Sequence, residues 1–172
     1  MKINSELYEK IMSCGKKVLL EKSYNDLTMR YIAGECNVSV GTVYNCFPSK
    51  EMLVAKIMLK DWLVLLDKAS QEIEETSSCI YGLETVYNTI RSYVTLYSGV
   101  FESRGSEVNL HVDQHKTLIG QLSSLIDLLL TRFGKSTDPD PTLFLAEALL
   151  LAGCRRDITF NDISIFINRV IQ

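Results

Sequence analysis

Hydroxyl, amide, phenol and ammonium side chains crowd one short stretch of this chain, TMRYIAGECNVSVGTVYNCFPSK over residues 28–50. Thr42 can bond a base edge or touch a thymine methyl, and Asn45 can bond a base or a phosphate. Tyr44 has a long reach and a terminal hydroxyl suited to a phosphate oxygen. Lys50 offers an ammonium beside a helix start, where its charge and the free backbone N–H groups both attract phosphate. Thr28 and Arg30 could bind the backbone beside them. Gly41 adds no side chain, so the main chain itself can come close to a duplex. The chemistry these residues share is contact with nucleic acid.

Such groups act together only if helices hold them on one face. Three hydroxyls supply the helix starts: Thr28, Ser39 and Ser49 can each accept from the unpaired N–H groups of a first turn. Asn37 stands between the first two helices and tolerates the left-handed backbone that a sharp turn needs. Ile32, Ala33, Val38, Val43 and Phe47 fall where two crossing helices would bury a joint core. That leaves Ser39, Val40, Gly41, Thr42, Tyr44 and Asn45 along the N-terminal end and outer face of the second helix. In a helix-turn-helix, this is the surface that enters the major groove.

The runs T-x-R-x-I-A, N-V-S-V-G-T-V-Y and F-P-S-K-E, with Ser39-x-Gly41-Thr42-x-Tyr44, Phe47 and Ser49-Lys50-Glu51 as their specific parts, resemble the N-terminal domain of TetR-family regulators. Asn37 stands where that family often has Gly, and Cys46 where a larger polar or aromatic residue is common. The resemblance implies an all-α protein. A three-helix helix-turn-helix DNA-binding domain over 1–48 would precede a helical dimerisation and ligand-binding domain over 49–172. It also implies a homodimer with two DNA-binding heads, and in many members a repressor released by a small ligand.

Composition bears on the same expectation. The chain of 172 residues has a net charge of −3, which argues against a general polyanion binder. Residues 1–60 hold nine Lys or Arg against six Asp or Glu, a net of +3, whereas residues 61–172 hold nine against fifteen, a net of −6. This asymmetry suits a modestly basic head on an acidic body. The five cysteines, at 14, 36, 46, 79 and 154, have neither metal-site spacing nor the even count of a disulfide framework. Cys14 and Cys36 fit apolar helix faces. MKINSELYEK lacks the apolar core of a signal peptide, and the apolar runs fall short of a bilayer crossing, so a soluble cytoplasmic protein without a membrane partner is expected.

Helical patterning continues along the chain. Leu7, Ile11, Cys14 and Val18 stripe a first helix over 5–21, and residues 22–27 read as a loop. A long helix is expected from Lys50 to about Glu75. In it Leu53 and Ile57 would pack on the head, and Trp62, Leu63, Leu65 and Leu66 on the body. Further helices are expected over 80–98 and 109–133, with a loop at 134–141. LFLAEALLLAG, residues 143–153, is apolar nearly all round, and the last helix carries its own apolar stripe. The family resemblance places the dimer interface on these last two helices, here Phe144, Leu145, Ala148, Leu149, Leu151, Ile163, Phe166, Ile167 and Val170.

Trp62, Tyr81, Tyr87, Tyr93, Tyr97 and Phe101 are candidates to line a cavity for a small-molecule effector, since a tyrosine joins a flat apolar face to one polar tip. His111 and His115 share a helix face, with Glu107 one turn earlier. Two ligands do not close a metal site, so no metal and no cofactor are assigned. No G-x-S-x-G elbow, phosphate loop or dinucleotide fingerprint is present, which argues against an enzyme. The sequence therefore points to a transcription regulator. It would bind a pseudo-palindromic double-stranded operator as a homodimer, most simply as a ligand-released repressor. The alternative is a protein of the same fold that acts through a protein partner, with DNA reading weakened or lost.

Overall fold

The computed structural model describes residues 5–103, 112–135 and 139–171. Among these the chain forms nine helices and no strand: α1 (Ser5–Glu21), α2 (Met29–Cys36), α3 (Val40–Cys46), α4 (Lys50–Glu75), α5 (Cys79–Leu96), α6 (Ser98–Ser103), α7 (Val112–Arg132), α8 (Pro139–Cys154) and α9 (Phe160–Val170). Two compact units share them. The first comprises Met1–Leu63 with Leu96–Val108, and the second Val64–Thr95 with Asn109–Gln172. α4 contributes residues to both.

The first unit condenses around Ile11, Leu27, Ile32, Val43, Leu53 and Phe47, all fully or almost fully buried. α1 packs on α2, and α2 on α3. The α1 stripe is broader than Leu7, Ile11, Cys14 and Val18: Met12, Gly15 and Leu19 are buried as well, while Leu7 and Cys14 are half-buried. Gly15 marks where α1 crosses α4. A Cβ there would meet Ile57 Cδ1 at 2.8 Å, so any larger residue would have to displace the tip of the Ile57 side chain. Tyr8 closes one end by packing its ring on Phe47, with centroids 4.6 Å apart. Leu27, at the end of a stretch expected to be a polar loop, is wholly buried and anchors the turn before α2.

Two polar bridges tie α1 to α4 inside this unit. Lys16 Nζ pairs with Asp61 Oδ1 at 2.7 Å, and Lys60 Nζ with Glu9 Oε2 at 2.5 Å. Trp62 is buried and belongs to this first unit. Leu63, expected to pack on the body, is instead exposed, while Leu65 and Leu66 are half-buried. The difference has a simple origin. A long helix with apolar residues on several faces does not announce which face meets which neighbour.

The second unit is built on α7 against α8, with α9 against α8. Its core includes Leu83, Val86, Ile90, Leu122, Ile126, Leu129, Ala146 and Leu149. Gly134 ends α7 with φ +62°, and the Lys135 N–H returns to the Leu130 carbonyl at 2.9 Å, the left-handed ending that glycine favours. α8 starts at Pro139, earlier than the loop expected over 134–141, because proline is at home in a first helical turn. Arg91 secures the far end of α8. Its guanidinium donates to the carbonyls of Gly153 (3.3 Å), Arg156 (3.1 Å) and Arg155. A Cβ at Gly153 would meet Ile90 Cγ2 at 2.5 Å, so α5 and α8 touch at backbone range.

Candidate nucleic-acid interface

Three side-chain caps build the site. Thr28, extended at φ −125° and ψ 148°, accepts from the Tyr31 N–H at 3.1 Å and starts α2. Ser39 accepts from the Thr42 N–H at 3.1 Å and starts α3. Ser49 accepts from the Met52 N–H at 3.2 Å and starts α4. Each cap satisfies a donor that would otherwise be unpaired, typically about 1 kcal/mol. Between α2 and α3, Asn37 adopts φ 56° and ψ 48°, the left-handed region. Its N–H reaches the Gly34 carbonyl and that of Val38 the Ala33 carbonyl, both at 3.0 Å. Lys10 Nζ also donates to the Cys36 carbonyl at 3.1 Å, so α1 helps finish α2.

With its ends fixed, α3 divides cleanly. Val43 is wholly buried and Phe47, just beyond the helix, nearly so, with Ile32 and Ala33 of α2 buried beneath. Val38 is half-buried. Ser39, Gly41, Tyr44 and Asn45 are exposed, and Val40 and Thr42 half-buried. Tyr44 leaves 48% of its surface open, too much for a core residue. A Cβ at Gly41 would meet nothing closer than Ser39 Oγ at 3.7 Å, so the helix start is unobstructed. Thr42 Oγ1 lies 2.8 Å from Ser39 Oγ, which links the cap to the side chain expected to read a base. Thr28 and Arg30 are exposed on the neighbouring helix.

Two Lys–Tyr contacts flank this surface, and sequence reasoning named only one of the four residues as a contact. Lys50 Nζ sits 3.9 Å above the Tyr24 ring centroid. Partial burial there pulls its ammonium below the ordinary lysine range, against the opposing effect of Glu51 and Asp26. Lys22 Nζ donates to the Tyr31 hydroxyl at 3.3 Å and lies 4.6 Å from that ring. The hydroxyl's bond raises the Lys22 pKa. A tyrosine in the α1–α2 loop is the signal that was available for the first pair; nothing in its spacing says which lysine it meets. Cys36 is buried and Cys14 half-buried, and burial pushes the Cys14 thiol up to about 11, far from a reactive thiolate.

The other candidate residues distribute as follows. Trp62, Tyr97 and Phe101 fall in the first unit and Tyr81, Tyr87 and Tyr93 in the second. Trp62 and Tyr97 are buried, Phe101 and Tyr93 half-buried, and Tyr81 exposed. Tyr87 is buried, with its hydroxyl donating to the Ile158 carbonyl at 2.7 Å. On α8, Phe144 and Leu151 are exposed, Leu145 and Leu149 buried, and Ala148 half-buried. On α9, Phe166 is exposed, Ile167 buried and Ile163 half-buried. The Val170 side chain, His111 and Glu107 lie outside the described residues. His115 Nε2 meets Glu147 Oε1 at 2.9 Å. Among the described residues no group of three or more His, Cys, Asp or Glu side chains could hold a metal ion. None of their helices is long and apolar enough to cross a membrane.

Residues 11–57 match the pattern of the bacterial regulatory proteins, tetR family. The N-terminal part of the chain is thus similar to the tetR family. The tetR-family segment runs from Ile11 of α1 to Ile57 of α4, and so contains every cap and every exposed α3 residue described above. The chain is 28% identical over 101 residues to the HTH-type transcriptional regulator UidR of Escherichia coli K12, covering 59% of this chain and 48% of that one. It thus spans about half the length of the curated relatives it matches. Two solved structures share the fold along nearly the whole chain. The transcriptional regulator FadR from Bacillus subtilis, in complex with stearoyl-CoA, superposes with a TM-score of 0.61 at 15% identity, covering 96% of this chain and 98% of that one. A TetR transcriptional regulator from Legionella pneumophila gives 0.53 at 22%, covering 98% of each. The all-helical TetR-like fold therefore extends beyond the tetR-family segment.

Proposed function

We propose that this chain is a sequence-specific DNA-binding transcriptional regulator, a cytoplasmic repressor that a small-molecule ligand releases. The observation that carries the reading is the division of α3. Val43 is buried to hold the helix, while Gly41, Tyr44 and Asn45 stand open and Thr42 half-open, on a helix whose start is capped and unobstructed. Thr42 and Asn45 read bases; Thr28, Arg30, Tyr44 and Lys50 hold phosphates. Residues 1–48 act as the DNA-binding domain and 49–172 as the regulatory domain. The helical fold shared with FadR, whose structure holds stearoyl-CoA, supports an effector site in the second of these.

Two copies act together. Leu143, Phe144 and Leu151 of α8 and Ile165 and Phe166 of α9 each expose about half or more of their surface. Large apolar side chains left open on two packed helices are the material of an interface between copies. A two-fold dimer then reads two half-sites one helical turn or a multiple apart. Release by ligand requires a differential affinity between two states, typically ~1–3 kcal/mol of coupling. α4, continuous from the head to Glu75, is the element that carries it.

The test is selection of bound duplexes from a pooled genomic library at two salt concentrations. A pseudo-palindrome enriched at both salts supports the reading and names the regulated genes. Binding that is weak, sequence-blind and erased by salt overturns it.

A further inference from the structure

We propose that Tyr24 is the positioning residue of the phosphate-binding cation Lys50, its ring holding the ammonium in place at the first turn of α4. This rests on the DNA-binding reading of the same surface. The contact is built from the loop upward. Ser23 Oγ donates to Asp26 Oδ2 at 2.6 Å and accepts from the Asp26 N–H at 3.2 Å, which closes a tight turn around Tyr24. The half-buried ring that this turn presents lies 3.9 Å from Lys50 Nζ. Its hydroxyl donates to Glu51 Oε1 at 3.4 Å, so one side chain engages both charged residues that open α4.

The physical reason for a ring here, and not a carboxylate, is charge. A lysine is a point charge on a flexible stem and loses rotamer freedom when it binds. A carboxylate partner would hold it and also cancel its charge. An aromatic face attracts the cation through its quadrupole and brings no negative charge of its own, so the ammonium stays charged and able to donate to an incoming phosphate. Tyr24 therefore pre-orders Lys50 without adding an opposing charge, while its hydroxyl engages Glu51 Oε1.

The test is a double-mutant cycle on binding of a fluorescent 30-base-pair duplex of random sequence at about 50 mM salt, since a phosphate contact does not depend on sequence. Tyr24→Leu keeps apolar bulk but removes the ring, and is expected to weaken binding about three- to ten-fold. Tyr24→Phe keeps the ring and is expected to stay within about two-fold of the wild type. On a Lys50→Ala background, Tyr24→Leu should add less than about two-fold. Independently of DNA, the Lys50 ε-methylene protons should show an upfield ring-current displacement in NMR spectra that persists in Tyr24→Phe and vanishes in Tyr24→Leu. Equal losses in Tyr24→Leu and Tyr24→Phe, an additive cycle, or an undisplaced Lys50 resonance would each overturn the proposal while wild-type binding stands. A wild type that binds no duplex removes the DNA-binding reading itself, and this role with it.

Discussion

The Tyr97 hydroxyl donates a 2.6 Å hydrogen bond to Asp61 Oδ2, while the other oxygen of the same carboxylate takes Lys16 Nζ at 2.7 Å. Tyr97 is 1% exposed and lies between α5 and α6, Asp61 is on α4 and Lys16 on α1. One carboxylate thus joins three parts of the first unit. Hydrogen bonds to a charged group contribute more than neutral ones, about 1.5–3 kcal/mol. Tyr97→Phe should therefore lower the unfolding free energy by about that much, read from urea denaturation at fixed protein concentration. No loss in the melt would mean that Lys16 alone satisfies Asp61.

Asn37 holds a left-handed conformation at the turn of the helix-turn-helix. The β-branched Asn37→Val should destabilise the head by about 1–2 kcal/mol. Asn37→Gly should be neutral or slightly stabilising, because glycine enters this region without strain. Thermal melts of both variants check the pair. The ordering, more than either value, is diagnostic: a valine variant as stable as the glycine one would show that the turn relaxes to another geometry.

Tyr44 is open to solvent and Lys50 partly so, and neither supports the core. Tyr44→Ala and Lys50→Ala should each weaken binding to all duplexes alike and leave the melting temperature within a few degrees. The salt slope should shrink by about one for Lys50→Ala. Thr42→Val should instead change which base is preferred. Fluorescence anisotropy on a set of single-base operator variants separates the two behaviours. Unchanged operator affinity in Tyr44→Ala and Lys50→Ala would remove the proposed docking of α3.

Phe166 exposes 67% of its surface on α9. Phe166→Glu should cost the isolated subunit little, since the side chain is already in water. In a dimer it would bury an unpaired charge across the two-fold axis. Sedimentation velocity at micromolar concentration should show a dimer for the wild type and a monomer for the variant. A variant that stays dimeric would move the interface off this face.

At the start of α9, Asp162 Oδ2 accepts from the Thr159 N–H at 2.8 Å and from its hydroxyl at 2.7 Å. The Thr159 side-chain bond, then its backbone bond, hold the carboxyl below the usual carboxylate range. A depressed folded pKa contributes stability that is present above the unfolded value, near 4, and is lost as pH falls through the folded value. Asp162→Asn should therefore be less stable than the wild type at neutral pH. The difference should close on acidification below about pH 4, followed by denaturation at a series of pH values. A gap independent of pH would show that the bond geometry matters and the charge does not.

How much of this was legible in the sequence depends on whether the cause was local. Hydroxyls at 28, 39 and 49 mark helix starts because a cap is made within three residues. An asparagine at 37 marks the turn because its backbone preference is its own. Buried Val43 and Phe47 follow from period alone, and so does the exposure of Tyr44 on the same short helix. The all-helical fold and the starts of α2, α3 and α4 were readable for these reasons.

What the tertiary structure decided lies between elements far apart in the chain. Tyr24 and Lys50 are separated by 26 positions, Asp61 and Tyr97 by 36, and Gly15 and Ile57 by 42. No periodicity links such residues; only the path of the chain brings them together. The same holds for the aromatic residues Trp62, Tyr81 and Tyr87. Their type suits a pocket or a core equally, and folding left one exposed and two buried. Local chemistry fixed which helices form and which α3 face stays open. Packing fixed which cation each ring holds, because that choice depends on crossings that no short stretch of sequence contains.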